Sequence, residues 1–520
     1  MKRFIKLIDT PFLLLWAAAA AIFTFGTKQE YLRDWDECVY AQNVREMYTS
    51  GHHISNIWNG YIDLQKPPLY SWTLGAWSRL FGDADATLRM LNVTCALILL
   101  ALVYAFSVRY FNRLIGFLAA AILLSAEVFV ITAGKINTDV FFSTFIFLGS
   151  WLFIEFMMNK KASKLLPLLA GLSYGLATMS KGLGSLQFAA ALGLIFLLYP
   201  SRRLFTAALQ MGVSAAVVII PWHAVTYARY GQRFIQIYFI ESILRRSSHP
   251  IEFHRERWWF YLDLMYRELM PILAVAIVFP TVFLITSLEK LWKKGVRGDV
   301  KKMLHTIHKY LVQQQVIVSV FVLTVIPLIL LTRVQTRLPW YALPFYPFLS
   351  IYLAYNIGLI VEMTNKWLGQ NKITKRFARH IGLLVATLFI LFVLKEAALP
   401  MLNEARITAS PVPISLRRQA EFAVAQTPGK TLHHLVPLGE RLGREVLPPE
   451  EQLDMTWVFG GNPCMVYYGG KQTNYYYTTQ EFEQALQSKK GLFLIENGDH
   501  QYDDGTTPIY KNSEYTLFRK

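Results

Sequence analysis

Residues Tyr31–Trp72 read YLRDWDECVYAQNVREMYTSGHHISNIWNGYIDLQKPPLYSW and stand between two long apolar segments. This stretch carries a dense cluster of ionisable side chains, among them Asp36, Glu37 and Lys66. The whole chain is 54% hydrophobic and only 17% charged, whereas about a quarter of the residues of a soluble chain are charged. Most of the protein is therefore predicted to lie in lipid, with Tyr31–Trp72 as a polar loop at the membrane surface.

Apolar segments of about 20 residues are long enough to cross the hydrocarbon core of a membrane. By this criterion we expect about eleven spans, near 10–27, 86–108, 114–133, 139–158, 164–180, 184–200, 204–222, 271–288, 312–332, 340–362 and 380–400. The first resembles a signal peptide without a convincing cleavage site, so we expect it to be retained. The predicted fold class is a polytopic α-helical membrane protein.

Lysine and arginine collect in alternate connections between these spans, which is typical of cytoplasmic loops. The net charge of +17 is explained by these short clusters, so nucleic-acid binding is excluded. The opposite connections hold most carboxylates and histidines, and they include 28–85, 223–270 and everything after residue 400. The sequence thus predicts a multi-pass protein of the cytoplasmic (inner) membrane whose site and C-terminal domain face outward.

Two outer loops are long enough to contain helices of their own. In loop 28–85, apolar residues at helical spacing predict an amphipathic interfacial helix from Glu37 to Thr49, ended by Gly51. Pro67-Pro68 opens a second short helix. Loop 223–270 repeats this design with aromatic and basic residues that suit a membrane surface or an anion. Residues 1–400 are therefore predicted to form one transmembrane catalytic domain.

The chain changes character after residue 400. The pieces KTLHHLV, TWVFGG, CMVYYGG, GLFLIEN and YTLFRK are β-like and are separated by glycine-containing turns. Residues 401–520 are predicted to form a small soluble α/β domain with an accessory role. The three cysteines, Cys38, Cys95 and Cys464, have no metal-binding spacing. Cys38 and Cys464 could pair on an oxidising side, but we expect two free thiols.

Asp36 and Glu37 are the first candidates for catalysis. They lie between Trp35 and the predicted amphipathic helix, which would hold them at a fixed depth where a carboxylate can act as a general base. The alternative is a pair of solvated loop charges. Lys66 precedes Pro67-Pro68 at the start of the second helix, where positive charge favours a phosphate. Its alternative role is that of a snorkelling lysine.

Further candidates lie at the outer ends of later spans. Asp139 starts a span and could simply cap its helix. Lys181 interrupts an apolar stretch on the outer side, and an ionisable group at such a position indicates function. Arg337 and Tyr341, near Arg333, form another cationic and phenolic cluster. Lys66, Lys181 and Arg337 could together hold a phosphate group, because its charge needs several donors.

A divalent cation is the only cofactor that the residues suggest. His249 and Glu241, with His254 and Glu252, could bind one, although a lone histidine in a polar loop is more often solvated.

Six motifs occur in order: WDECVYAQNVREM, QKPPLYSW, INTDVFF, SKG, PWH and RLPWYALPFYP. Over residues 1–360 the chain resembles the polyprenyl-phosphate-dependent glycosyltransferases of the GT-C fold, in particular the protein mannosyltransferase and lipid A aminoarabinose transferase superfamily. The resemblance implies a lipid-linked sugar donor, such as an undecaprenyl-phosphate sugar. It implies that Asp36 is the essential acid, that Asp139 is a second acidic position, and that Lys66, Lys181 and Tyr341 contact the donor phosphate.

The chain departs from the aminoarabinose transferases at two positions. Val39 stands where they have an arginine, and Gln65 stands where they have a glutamate that contributes to a metal site. His249 lies where they place a loop histidine. These departures indicate a different substrate.

The leading hypothesis is therefore an inverting glycosyltransferase with Asp36 as base, acting on a glycolipid, lipid A or protein acceptor. A transporter or flippase for lipid headgroups would use the same charges. However, such proteins tend to have internal repeats and charges near the midplane, and neither pattern is found in the sequence. A structural or assembly protein with a sensing outer domain would leave Lys181 unexplained.

Overall fold

The computed structural model describes residues 9–28, 31–32, 35–249, 256–270, 272–274, 314–368, 389–402, 416–435, 463–476, 478–497, 507–513 and 515–520. Its contacts divide the chain into two compact units. The helical unit comprises Met1–Gly26, Asn92–Gly134 and Thr138–Leu402, and the mixed unit comprises Thr27–Leu91, Lys135–Asn137 and Asn403–Lys520. Loop 28–85 and the C-terminal region thus belong largely to one unit, although the sequence places this loop with the transmembrane domain.

The first ten labelled helices are α1 (Thr10–Gly26), α2 (Asp36–Ser50), α3 (Leu69–Phe81), α4 (Asp85–Tyr110), α5 (Arg113–Ser125), α6 (Glu127–Ala133), α7 (Asp139–Met158), α8 (Leu165–Lys181), α9 (Leu186–Leu198) and α10 (Arg202–Tyr230). They are followed by a π-helix (Ile235–Arg245), helical residues 260–270, α11 (Gln315–Arg333), a 3-10 helix (Pro339–Phe345), α12 (Tyr346–Leu368) and helical residues 389–402.

Six helical stretches in this part of the chain are long and apolar enough to cross a membrane, or seven if the bent pair α5–α6 counts as one. The predicted number of about eleven is not reached there. Span 271–288 lies largely outside the described residues, and so do residues 380–388 of span 380–400. The predicted span 114–133 is wrong as a single helix. Ala126 adopts an extended conformation between α5 and α6, and the two helices meet at a bend of 73°.

The stretch Leu165–Leu198 counts as one of the six candidate spans. However, the chain reverses its direction within this stretch, at the end of α8. Gly182 has φ of +75°, a conformation that favours glycine, and it ends α8 directly after Lys181. Helices α8 and α10 run parallel, because Gly171 lies against Met211 and Gly175 lies against Ala215 one turn further on. Helix α9 must therefore run back between them, as the predicted turn near Lys181 requires.

The C-terminal part of the mixed unit is an α/β layer structure. Its strands are β3 (Thr431–Leu435), β4 (Gln472–Tyr476), β5 (Leu492–Glu496), β6 (Tyr510–Lys511) and β7 (Tyr515–Arg519). Their order is β4-β3-β5-β7-β6, with β3 parallel to β4 and β5, and β7 antiparallel to β5 and β6. Helices α13 (Leu416–Gln426), α14 (Pro463–Gly469) and α15 (Thr479–Ser488) complete it.

Side-chain alternation along the strands gives this sheet two apolar faces. Leu432 and Leu492 pack with Val424 of α13, whereas Phe493 packs with Phe482 of α15. The predicted strands in KTLHHLV, GLFLIEN and YTLFRK are confirmed. The segment CMVYYGG is not a strand, because it forms most of α14, and TWVFGG lies outside the described residues.

Loop 28–85 also differs from its prediction. Helix α2 begins at Asp36 and ends at Gly51 in a left-handed conformation, as expected. However, residues 37–44 are all buried, so α2 is a core helix of the mixed unit and not an amphipathic helix at a surface. A hairpin of β1 (Asn56–Trp58) and β2 (Tyr61–Asp63) packs against it. Cys38 and Cys464 form a disulfide, which corrects the expectation of two free thiols.

Candidate active site

Asp36 is the first residue of α2 and is half-buried. Across the part of the chain that the structure describes, no hydrogen bond or ion pair occupies its carboxylate. Trp35 before it has φ of 66° and ψ of −111°, and such a conformation costs a non-glycine residue about 1–3 kcal/mol. Strain of this kind persists only where neighbouring contacts fix the backbone, and it often marks functional sites.

Glu37 is in a different situation from Asp36, although the sequence nominates both as catalytic. Its carboxylate accepts hydrogen bonds from Nε and Nη2 of Arg89, each at 2.8 Å, and from the backbone N–H of Ile136 at 2.9 Å. The side chains of Glu37 and Arg89 are 3% and 0% exposed. A buried charge with this many partners holds its helix in place. Within the described part of the chain, Glu37 is therefore paired and its neighbour Asp36 is not.

Lys66 lies on the same side of α2 as Asp36. Its Nζ donates to Oη of Tyr40 at 2.6 Å and lies 5.1 Å from the centre of that ring. Tyr40 follows Asp36 by four residues, and side chains with this spacing are neighbours on a helix face. Tyr40 is not among the predicted site residues, although its spacing from Asp36 could have indicated it.

Asp63 lies three residues before Lys66 and is buried. Burial raises the pKa of Asp63, while the backbone N–H of Gln65 and the charge of Lys66 act in the opposite direction. Asn56 donates through Nδ2 to the backbone carbonyl of Lys66 at 3.2 Å. The backbone that carries Lys66 is therefore fixed by the β1–β2 hairpin.

In the helical unit, three predicted site residues come together. Asp139 at the start of α7 forms an ion pair with Lys181 at the end of α8. The Lys181 Nζ also lies 4.8 Å from the ring centre of Tyr341 in the 3-10 helix. The side chain of Asp139 is 3% exposed and that of Lys181 is 15% exposed. Asp139 is thus not merely a helix cap, because it holds an ammonium group against a phenol ring.

Arg337 has two of its three guanidinium nitrogens occupied by backbone carbonyls. It is buried, and it donates to the backbone carbonyls of Glu256 and Thr332. Arg246, which the sequence analysis did not single out, has its Nη1 3.4 Å from Oη of Tyr341. Backbone hydrogen bonds from Gln335 and Thr336 to the carbonyls of Ser247 and Arg246 bring these segments together. The basic run LRRSSHP is the feature of the sequence that could have indicated Arg246.

The proposed metal ligands already have polar partners. Glu241 accepts from Arg245 at 2.8 Å and from Gln236 at 3.0 Å, and the Nδ1 of His249 lies 2.9 Å from the hydroxyl of Ser248. Among the described residues no three His, Cys, Asp or Glu side chains are grouped as metal ligands. His254 and Glu252 lie outside that part of the chain.

Comparison with known proteins gives one family match. Residues 65–225 match dolichyl-phosphate-mannose-protein mannosyltransferase, a range that includes Lys66, Asp139 and Lys181. The chain is 25% identical over 359 residues to the undecaprenyl phosphate-alpha-4-amino-4-deoxy-L-arabinose arabinosyl transferase of Pseudomonas savastanoi pv. phaseolicola. This match covers 67% of the present chain and 62% of that enzyme. The chain spans about half the length of the curated relatives that it matches.

Two solved structures are similar over most of the chain. ArnT from Cupriavidus metallidurans bound to undecaprenyl phosphate superposes with a TM-score of 0.66 at 14% identity, covering 98% of each chain. The archaeal oligosaccharyltransferase AglB from Archaeoglobus fulgidus, in complex with an inhibitory peptide and a dolichol-phosphate, gives 0.53 at 12% identity, covering 93% of this chain and 69% of that one. At these identities the likeness concerns the fold.

Proposed function

The chain has the GT-C fold that its sequence predicts, and we propose that it is an integral-membrane glycosyltransferase. It moves a sugar from a polyprenyl-phosphate donor to an acceptor on the outer face of the cytoplasmic membrane. The names of the matched family and of the arabinosyl transferases support a donor of this kind. The observation that carries the proposal is the start of α2. The Asp36 carboxylate has no partner there among the described residues, and Tyr40, one turn further on, accepts a hydrogen bond from the Lys66 ammonium.

In this proposal Asp36 is the general base. It accepts the proton of the acceptor's nucleophilic group while that group attacks the anomeric carbon of the donor sugar. The bond between the anomeric carbon and the phosphate oxygen breaks, and the polyprenyl phosphate leaves with the bonding electrons. A single displacement inverts the anomeric configuration. Glu37 takes no part in proton transfer, because Arg89 and Ile136 already occupy its oxygens.

The leaving phosphate carries the charge that develops during the reaction, so cations and hydroxyl donors lower the barrier. We assign Lys66 with Tyr40, and separately Lys181 with Tyr341, as ligands of the donor phosphate. Arg246 replaces Arg337 in this assignment, since both terminal guanidinium nitrogens of Arg337 donate to backbone carbonyls. Asp139 orients the ammonium of Lys181 and does not contact the reacting atoms.

The substrates differ, in this proposal, from those of the aminoarabinose transferases in the sugar, the acceptor or both. Val39 packs with Trp58 and Val466 in a small apolar cluster and is 5% exposed. The position where those enzymes have an arginine is therefore part of the core here. Gln65 is also buried and carries no charge for a metal ion. The acceptor classes that remain are a glycolipid, lipid A and a protein.

Mass spectrometry of lipids and surface glycans tests the proposal in cells with and without the gene. Loss of the enzyme should remove one sugar modification and increase the amount of its polyprenyl-phosphate donor, because that donor is no longer consumed. Restoring the gene should reverse both changes. Identical glycans and identical donor levels in the two strains would contradict the proposed function.

A further inference from the structure

The residues on both sides of Asp36 are tied to the C-terminal part of the chain. Four residues earlier, the backbone N–H of Leu32 donates to Oη of Tyr468 at 2.6 Å. Two residues later, Cys38 is joined to Cys464 by a disulfide, with Cα atoms 5.1 Å apart. Both partners belong to α14, and all of these residues lie within the mixed unit. Asp36 is thus placed between two anchors supplied by one C-terminal helix.

Helix α14 also contacts α2 two turns further along. The guanidinium of Arg45 stacks on the ring of Tyr467, 4.1 Å from its centre, and Nη1 of Arg45 donates to the backbone carbonyl of Tyr467. Between these points Val466 packs against Val39. Contacts at Cys38 and Arg45 fix both the position and the rotation of α2 about its axis.

Tyr468 holds the segment that enters α2. Besides accepting the N–H of Leu32, its hydroxyl donates to Asp85 at the start of α4. Its ring meets that of Tyr31 edge to face, with centres 5.8 Å apart. Arg89 holds the backbone carbonyl of Tyr31 at 2.7 Å. Tyr31 and Leu32 are therefore held from two sides.

These anchors explain how Trp35 keeps a positive φ. Its backbone would relax if the segments before and after it could move, and relaxation at Trp35 would turn the carboxylate of the next residue. The anchors at Leu32 and Cys38 prevent that movement. The geometry of Asp36 thus depends on residues more than 400 positions away in the chain.

We propose that Cys464 and Tyr468 are positioning residues for Asp36, so that the C-terminal domain completes the catalytic loop and is not an accessory. This inference rests on the proposed function. One consequence concerns the redox state. A dithiol that supplies two electrons and two protons to the disulfide, and is itself oxidised to a cyclic disulfide, leaves two thiols and removes the covalent link between α2 and α14. Since disulfides persist in oxidising compartments, the enzyme reaches full activity only outside the cytoplasm.

The test uses the purified full-length protein and its donor-turnover rate. In the double variant Cys38→Ser/Cys464→Ser and in Tyr468→Phe, we expect kcat to fall about 10- to 100-fold, with a shifted pH profile of kcat and a KM for the donor near that of wild type. Tyr468→Phe keeps the ring and loses only the hydroxyl contacts. Cys95→Ser, which alters the free cysteine, is the matched control and should behave as wild type.

Reduction gives a second, independent readout. Dithiothreitol should lower kcat of the wild type and of Cys95→Ser and leave the double variant unchanged. If the double variant and Tyr468→Phe keep the kcat and pH profile of wild type while Asp36→Asn is inactive, the positioning role is overturned and the proposed function stands. If the wild type turns over no donor, the proposed function is overturned, and this inference with it.

Discussion

For Lys181, the sequence indicates a functional role but does not identify the residue that pairs with it. Its predicted position on the outer side, within an apolar stretch, nominates it as a functional residue. Its partner Asp139 is 42 residues away, and no local pattern connects the two. Asp36 and Lys66 could also be nominated from the sequence. For Tyr40 and Arg246 the sequence offers only a helical spacing and a basic run, and their proposed roles follow from contacts with Lys66 and Tyr341.

Replacing Lys181 tests its assignment to the donor phosphate. Lys181→Met keeps the length of the side chain and removes its charge, which also leaves Asp139 without its ion pair. A hydrogen bond to a charged group contributes about 1.5–3 kcal/mol, so we expect kcat/KM for the donor to fall about 10- to 100-fold. Initial rates over a range of donor concentrations measure this. Lys161→Met, at an exposed lysine between α7 and α8, is the control; equal kcat/KM values for both variants would refute the assignment.

At the scale of elements, local sequence patterns predicted the secondary structure correctly where the tertiary packing favours the same conformation. The strands in KTLHHLV and GLFLIEN alternate between two apolar faces, and they were predicted. The segment CMVYYGG has β-like composition but forms α14, because its contacts with α2 through Cys464 and Tyr467 decide its conformation. The bend between α5 and α6 likewise has no proline to signal it.

Strand β3 carries a buried histidine with a consequence for stability. His433 stacks on Phe493, with ring centres 4.6 Å apart, and its Nδ1 lies 2.8 Å from Oη of Tyr476. Burial, aided by the charge of Lys489, lowers the pKa of His433 to about 4. The unfolded chain binds this proton more readily, so the contribution of His433 to stability is present above about pH 6.5 and is lost as the pH falls towards 4.

The variant His433→Gln should therefore show a smaller fall in unfolding temperature between about pH 6.5 and pH 4.5 than the wild type. Thermal unfolding of the purified protein, followed by tryptophan fluorescence, measures the difference. His249→Gln, at an exposed histidine, is the control and should keep the pH dependence of the wild type. A slope for His433→Gln as steep as that of the wild type would show that His433 does not contribute.

For the whole molecule, the sequence predicted the fold class because apolar length and the order of six motifs are local properties. The two compact units could not be predicted in the same way. Loop 28–85 joins the C-terminal region through contacts such as Cys38–Cys464, with a sequence separation of 426 residues. Asn59 makes two further hydrogen bonds of this range, to the backbone of Thr473. Such pairings are defined only once the chain is folded.

The proposed orientation of the molecule can be tested with reporter fusions. Alkaline phosphatase, which needs an oxidising compartment, should be active when fused after Lys520 and inactive when fused in the basic connection near Arg202 and Arg203. Green fluorescent protein should show the opposite pattern. Phosphatase activity in the basic connection, with none after Lys520, would reverse the proposed topology and place Asp36 on the cytoplasmic side.

The role of Asp36 as base is the central claim, and donor turnover by the purified protein tests it most directly. Wild-type protein, Asp36→Asn and Asp83→Asn, an exposed carboxylate in the same loop, are incubated with total membrane lipid from the producing cell. Mass spectrometry then measures the conversion of glycosylated polyprenyl phosphate to free polyprenyl phosphate. We expect conversion by the wild type and by Asp83→Asn, and a rate at least about 100-fold lower for Asp36→Asn. Conversion by Asp36→Asn at the wild-type rate would contradict the account.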